Sequence, residues 1–492
     1  MRQHLPALQV VIPLLSAPLC VILNNGRVAW LLSLAASWAA FIIAVLLLQQ
    51  VLATGPISYE IGGWAAPWGI EYRIDTVSAF VLLIVSAIAA VVLPYAGRSV
   101  AREIPSERTA LFYTAYLLCL AGLLGIAATG DAFNLFVFLE ISSLSSYILI
   151  SLGSDRRALT AAYQYLIMGT IGATFILIGV GLMYMMTGTL NMADLVQRLP
   201  EVAHTRTVRA ALAFLTVGIS LKLALFPLHL WLPNAYAYAP SMVTAFLAAT
   251  ATKVAVYMLL RFLFTVFGKA LSFEAMLLHF ILLPLALVAV FSASIVAIFQ
   301  ENLKRMLAYS SVAQIGYIIL GISFASVTGL TAGILHLFNH ALMKAALFLA
   351  LGCVVYQLGS VHLRDVAGLG RRMPWTFAAI VIGGLSLIGV PLTVGFISKW
   401  YLVLAALEAQ LWGVAVLVLL GSLLAAVYVW RIVEAAFFQP PPRRARAYQE
   451  APLSLLAPTW VLIGANIYFG IDAELTVGVA QRAAEWLLGG TV

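Results

Sequence analysis

The chain has 492 residues, 63% of them hydrophobic and only 9% charged, and its mean hydropathy of +1.04 lies far above that of a soluble chain. A formal net charge of +8 does not mark a nucleic-acid binder, because the arginines are scattered singly among short loops and form no single patch. Cys20, Cys119 and Cys353 stand far apart, and without a CxxC, a four-cysteine set or a glycine-rich phosphate loop the sequence offers no cluster ligation and no nicotinamide site.

Lipid is the expected solvent. A bilayer core about 30 Å thick takes roughly 20 apolar residues per helix, and the apolar runs predict an all-α membrane protein with about 14 spans. They lie near 8–23, 28–52, 74–95, 109–128, 132–152, 158–186, 207–230, 239–267, 275–299, 306–323, 327–357, 373–407, 411–438 and 452–471. A barrel would instead show alternating segments of about 10 residues. The first run lacks a small-residue cleavage pattern and reads as a retained helix.

An even number of spans puts both termini on one side. Alternate loops hold 14 basic residues (Arg27, Arg98, Arg102, Arg108, Arg156, Arg157, Lys304, Arg305, Arg364, Arg371, Arg372, Arg443, Arg444, Arg446) against 6 (Arg2, Arg73, Arg198, Arg206, Lys269, Arg482). The excess of Lys and Arg stays inside, so both termini are expected outside the cytoplasm of a bacterial inner membrane.

Four stretches follow: three spans in 1–107, five in 108–267, five in 268–438, and a linker, last span and tail in 439–492. Two successive groups of five must sit inverted, a transporter signature. The fourth span of each group carries a lone lysine four residues after a glycine, Gly218 and Lys222 in GISLK, Gly395 and Lys399 in GFISK. Pro227 and Pro391 predict that the seventh and twelfth spans are broken, since proline removes a helical hydrogen bond and frees a carbonyl. QPPPRRAR, from Gln439, reads as a stiff cytoplasmic linker.

Only six of the 27 basic residues are lysines, and Lys222, Lys253, Lys344 and Lys399 lie inside apolar runs, whereas arginine dominates the loops. A desolvated lysine can release its proton near neutral pH and an arginine cannot. Each intramembrane charge costs about 2.5–3.5 kcal/mol on insertion scales and so needs a partner or a function; the bland alternative is snorkelling. Glu140 is the carboxylate well inside a span, with Ser143 and Tyr147 on its helical face, and a Glu140–Lys222 pair would switch charge state on proton arrival. A static ion pair is the competing reading.

His336, His340 and Lys344 step by four along one face. Two imidazoles without a third ligand on that helix favour a proton relay over a metal site. His229, in FPLHLWLP, gates or caps a broken end, and Arg431 and Glu434 read as a structural pair.

The stretches GDAFNLFVFLEISSLSSYIL, LKLALFPLHLWLPNAYAYAPSMVTAFLAATATKVAVYMLLR, ENLKRMLAYSSVAQIGYIILG, HLFNHALMKAALFLALG and GVPLTVGFISKWYL resemble the antiporter-like subunits shared by respiratory complex I, membrane-bound hydrogenases and Mrp-type multi-subunit cation/proton antiporters. The resemblance runs from about Asp75 to Lys399. It implies a hydrated proton path through Glu140, Lys222, Lys253, His336, His340 and Lys399, with Lys344, His229 and Lys304 as secondary members. It also implies partner hydrophobic subunits, protons and Na+ as cargo, and no redox centre in the chain. TGTLNMADL and LKLALFPLHLWLP look more like the D-type Mrp subunit than the N-type subunit of an NADH-quinone oxidoreductase. Gln314 departs from the histidine of some relatives, which puts a relay at that position in doubt. A redox subunit binding quinone and a non-transporting scaffold are the rivals from other classes.

Overall fold

The computed structural model describes residues 2–441 and 448–489, so most of the expected arginine-bearing linker, residues 442–447, lies outside the described residues. Helix α1 (Leu5–Leu23) leads to α2 (Gly26–Thr54), which Asn25 caps by accepting the Arg27 and Val28 amides. An antiparallel hairpin then pairs β1 (Ile57–Glu60) with β2 (Glu71–Ile74). The third span therefore starts at Thr76 and not at residue 74. Asp75 closes a capping box with Ser78, and α3 (Thr76–Glu103) continues through Pro94 well past the expected end at residue 95. Arg102, in its last turn, lies over the Tyr356 ring at 4.8 Å, so the charged extension of this helix is held by packing that no local pattern encodes.

α4 (Thr109–Ala128), α5 (Ala132–Ser151) and α6 (Arg157–Thr187) fall where the apolar runs place them. A short helix, α7 (Met192–Val202), follows α6; its polar sequence MADLVQRLPEV is too short to span and was not expected. Then come α8 (Arg206–Leu223), α9 (Trp231–Tyr238), α10 (Ser241–Leu260, continued as a π-helical segment to Val266), α11 (His279–Ile298), α12 (Leu303–Ser323) and α13 (Val327–Leu358). The chain continues with α14 (Pro374–Ile388), α15 (Val394–Glu408), α16 (Trp412–Val433), α17 (Leu453–Ile471) and α18 (Glu474–Gly489). Among the described residues, 12 helices are long and apolar enough to cross a membrane. The two remaining expected crossings are each made of two segments, α8 with α9 and α14 with α15.

The fold is that of an all-α multi-pass membrane protein. At its centre stand α10 and α12, whose apolar windows are 94% buried by protein, while α6, α11 and α16 are 39% buried and present apolar faces outward. A helix apolar all round belongs in a bundle core, and one with a bare apolar face belongs against lipid or a neighbour. The tail beyond α17 was expected only as a tail. Instead α18 lays Val479, Ala480, Ala483, Ala484 and Leu487 onto the bundle, and its Trp486 indole donates to Asp75 Oδ2 at 3.1 Å. Arg431 does not pair with Glu434; its guanidinium donates to the carbonyls of Ile298 and Gln300 at the end of α11, groups a helix terminus leaves free.

Both breaks have an identifiable cause. At the first, Ala224 ends α8 in the left-handed region with φ 60°, and the Trp231 indole donates to the Leu221 carbonyl at 3.0 Å. At the second, Gly389 ends α14 with φ 90°, and Pro391 lies in the irregular segment before α15. Gly395 lets α15 fold back on α14, since a Cβ there would stand 1.8 Å from the Ser386 carbonyl oxygen. Gly395→Ala is expected to force these segments apart and lower thermal stability by about 1–3 kcal/mol. Unchanged melting of the purified variant would contradict that.

Candidate functional site

The line of intramembrane residues begins at Lys222, in the last turn of α8. Its ammonium donates to Ser143 Oγ at 2.8 Å and stands 3.7 Å from Glu140 Oε1, with both partners on α5. The helical step from Glu140 to Ser143 therefore serves one amine. The two ends of the pair differ in exposure: the Lys222 side chain is 3% exposed and that of Glu140 29%. Tyr147, expected on the same stripe, keeps its hydroxyl unpartnered and packs edge-on against Tyr165, which stacks on Trp231. The break after α8 and the Glu140 face are thus joined through aromatic packing.

Lys253, fully buried on α10, donates to its own helix's Ala248 carbonyl at 2.5 Å and to Thr252 Oγ1 at 3.4 Å. Lys344, also fully buried, donates to the Leu307 carbonyl at 2.8 Å and to Ser310 Oγ on α12. Both ammoniums donate to neutral oxygens. Between them on α13, the His340 ring lies parallel to that of His336 with centroids 6.2 Å apart, and both its nitrogens are buried without a hydrogen-bond partner. An unsatisfied buried imidazole costs free energy unless water or a moving proton engages it. His336 itself is bound on both sides, Nδ1 to Ser398 Oγ at 2.7 Å and Nε2 to Gln314 Oε1 at 2.8 Å.

Lys399 completes the set. Its ammonium donates at 2.9 Å to each of the Leu387 and Ile388 carbonyls and to Ser422 Oγ, and it lies over the Tyr317 ring at 4.8 Å. The break after α14 supplies those carbonyls, which a continuous helix would have used internally. Thus the second half holds its lysine with carbonyl dipoles and a π face, where the first half uses a carboxylate.

Two of the secondary residues, His229 and Lys304, separate from this line. His229 sits in the first break, stacked on Phe226 and edge-on to Tyr309, with Nδ1 unpartnered. Lys304 is buried at the start of α12, donating to the Ala239 carbonyl and Ser241 Oγ at 3.2 Å each, while Glu103 accepts from the Ser241 amide at 2.9 Å. That cluster ties α3, α10 and α12 together and carries the marks of a structural joint.

Sequence reasoning missed the neutral partners. Ser310, Gln314 and Tyr317 step by four and three on α12 and face Lys344, His336 and Lys399 in turn; their spacing was visible in AYSSVAQIGY. A second buried pair, Asp75 with Arg261, was also overlooked: the guanidinium donates to Asp75 Oδ1 and to Tyr257 Oη at 2.9 Å. An arginine inside the apolar run 239–267 was the available signal.

Residues 129–425 match the family model described as NADH:quinone oxidoreductase/Mrp antiporter, TM. The N-type subunit of the NADH-quinone oxidoreductase of Desulforudis audaxviator (strain MP104C) is 43% identical, covering 99% of this chain and 100% of that one. The D-type subunit of the Na(+)/H(+) antiporter of Bacillus subtilis (strain 168) is 30% identical over 98% of this chain and 96% of its own length. A chain in the solved structure of the Mrp complex from Dietzia sp. DQ12-45-1b superposes with a TM-score of 0.91 at 26% identity, covering 100% of this chain and 98% of that one. A family match over more than half the sequence, with relatives aligned along nearly its whole length, makes this chain a member of the NADH:quinone oxidoreductase/Mrp antiporter transmembrane family.

Proposed function

We propose that the chain is the proton-translocating subunit of a multi-subunit monovalent cation (Na+)/proton antiporter, working beside other hydrophobic subunits in a bacterial inner membrane with both termini outside the cytoplasm. The observation that carries the reading is the set Lys222, Lys253, His340, His336 and Lys399, buried titratable groups, together with the half-buried Glu140, on five helices of one bundle. Protons enter near Glu140, move between amines and imidazoles, and leave beyond Lys399, with Lys344 as a branch. Two like charges at roughly 8 Å and an effective dielectric of about 20 repel by about 2 kcal/mol, enough to pass a proton onward.

The stretches 108–267 and 268–438 act as two inverted five-helix repeats, each with a broken fourth helix, and the three spans of 1–107 flank them. The outward apolar faces of α6 and α11 suit neighbouring subunits or lipid. The alternative is a proton-pumping subunit of an NADH-quinone oxidoreductase of the N or M type, or of a membrane-bound hydrogenase. It is favoured by the higher identity to the N-type relative, 43% against 30% for the D-type one.

Reconstituting the purified complex into liposomes with an internal pH dye separates the two. Proton efflux that requires a sodium gradient supports the antiporter; proton uptake driven by a quinone-reducing donor, indifferent to sodium, selects the alternative. Proton-tight vesicles in both assays would overturn both.

A further inference from the structure

A neutral imidazole carries one N–H and one lone pair, and its neighbours decide which nitrogen holds the hydrogen. His336 is 3% exposed and has one neighbour at each nitrogen. Gln314 Oε1, 2.8 Å from Nε2, is a carbonyl oxygen that only accepts, so Nε2 bears the hydrogen. Nδ1 then presents its lone pair to Ser398 Oγ at 2.7 Å, and the serine hydroxyl donates to it; the other acceptor for that hydroxyl, the Gly395 carbonyl, is 3.4 Å away. From α16, Tyr428 Oη lies near Gln314 and Ser310 but has no hydrogen-bond partner of its own.

We propose that Gln314 is a positioning residue that locks His336 in the Nε2–H tautomer, so that His336 exchanges protons only through Nδ1, on the side of Ser398 and Lys399. The consequence for transport rests on the reading of the buried line as a proton path. A proton reaching Ser398 Oγ is passed on as the serine hydroxyl hydrogen moves to Nδ1. The imidazolium so formed keeps its Nε2–H on Gln314, and the charge returns by the same door, because an amide oxygen takes up no proton at neutral pH. His336 is then a one-sided store beside Lys399, closed toward α12, and serves the proton path as a side store and not as a through-step. Gln314 is what closes it. The titratable groups facing His336 are Lys399 on α15, Lys253 on α10, His340 on its own helix and Tyr317 on α12.

The test uses the full chain with its partner subunits in liposomes, 15N-labelled at histidine and studied by solid-state NMR, with the His336 signals identified by their loss in His336→Gln. A single Nε2-protonated form is expected in the wild type, and a populated Nδ1-protonated form in Gln314→Leu, where Ser398 turns to accept. In Gln314→Glu the carboxylate holds the imidazolium, moving its titration up by about one to three pH units and the pH profile of proton flux with it. A wild-type ring protonated at Nδ1, or a tautomer indifferent to Gln314→Leu, would overturn the proposal. The tautomer is read without transport. A locked ring in vesicles that move no protons therefore counts against the functional reading and leaves the lock standing.

Discussion

Lys222→Ala is expected to lower proton flux by roughly two orders of magnitude or more while the complex still assembles. The lysine is 3.7 Å from Glu140 and hydrogen-bonded to Ser143, so its loss removes the amine that the proposed relay needs. The helix around it keeps its supports: Trp231 still holds the Leu221 carbonyl, and the buried residues Leu212, Leu215 and Ile219 still pack. Glu140, 29% exposed at its side chain, remains within reach of water when its cation is gone. Lys222→Arg is the sharper variant. It keeps the charge and the ion pair but replaces a titratable amine with a guanidinium that does not deprotonate in proteins. A relay predicts that Arg fails nearly as badly as Ala; a static ion pair predicts that Arg transports normally. Flux from a pH dye in proteoliposomes, with assembly checked on a native gel, decides between them.

Asp75→Ala is expected to be the most destabilising single change, costing about 3–5 kcal/mol because it leaves a buried guanidinium without its counter-ion. Asp75 is 2% exposed and Arg261 5%, and arginine cannot escape by losing its proton. The same carboxylate caps α3 and accepts from Trp486, so one substitution loosens the start of α3 and the docking of α18. The apparent melting temperature of the purified variant should fall, and trypsin should cut faster at Arg482, which lies on α18. A double variant with Arg261→Met should recover most of the loss, since replacing both members of a buried pair with apolar groups is often neutral. A melting temperature unchanged by Asp75→Ala would remove the pair from any account of stability.

The spans were legible because each is a run of apolar residues as long as a bilayer is thick, and the breaks because Pro227 and Pro391 each accompany a lone lysine in an apolar run, although Pro94, Pro284 and Pro458 lie inside helices that run on. The hairpin, α7 and α18 were not, since short polar segments carry no length signal and α18 owes its place to contacts with Asp75 and the bundle. At the site, the lysines and histidines stood out as titratable groups in apolar sequence. Their partners did not. The carbonyls of Leu387 and Ile388 become ligands for Lys399 only because α14 stops there. Asp75 and Arg261 are separated by 186 positions, and nothing local in either suggests the other. Gln314 was visible as a departure, but its meaning depends on the ring nitrogen it faces.

The three cysteines noted at the outset, Cys20, Cys119 and Cys353, are all free and 0% exposed within the helical bundle. Buried thiols of this kind are inert toward water-borne reagents. The native chain therefore serves as its own blank for thiol labelling, with no need to strip its cysteines first. A cysteine placed at exposed Arg482 or exposed Arg371 can then be treated with a membrane-impermeant maleimide on intact cells. Labelling at position 482 alone would put the α18 end outside; labelling at 371 alone would turn the whole molecule over.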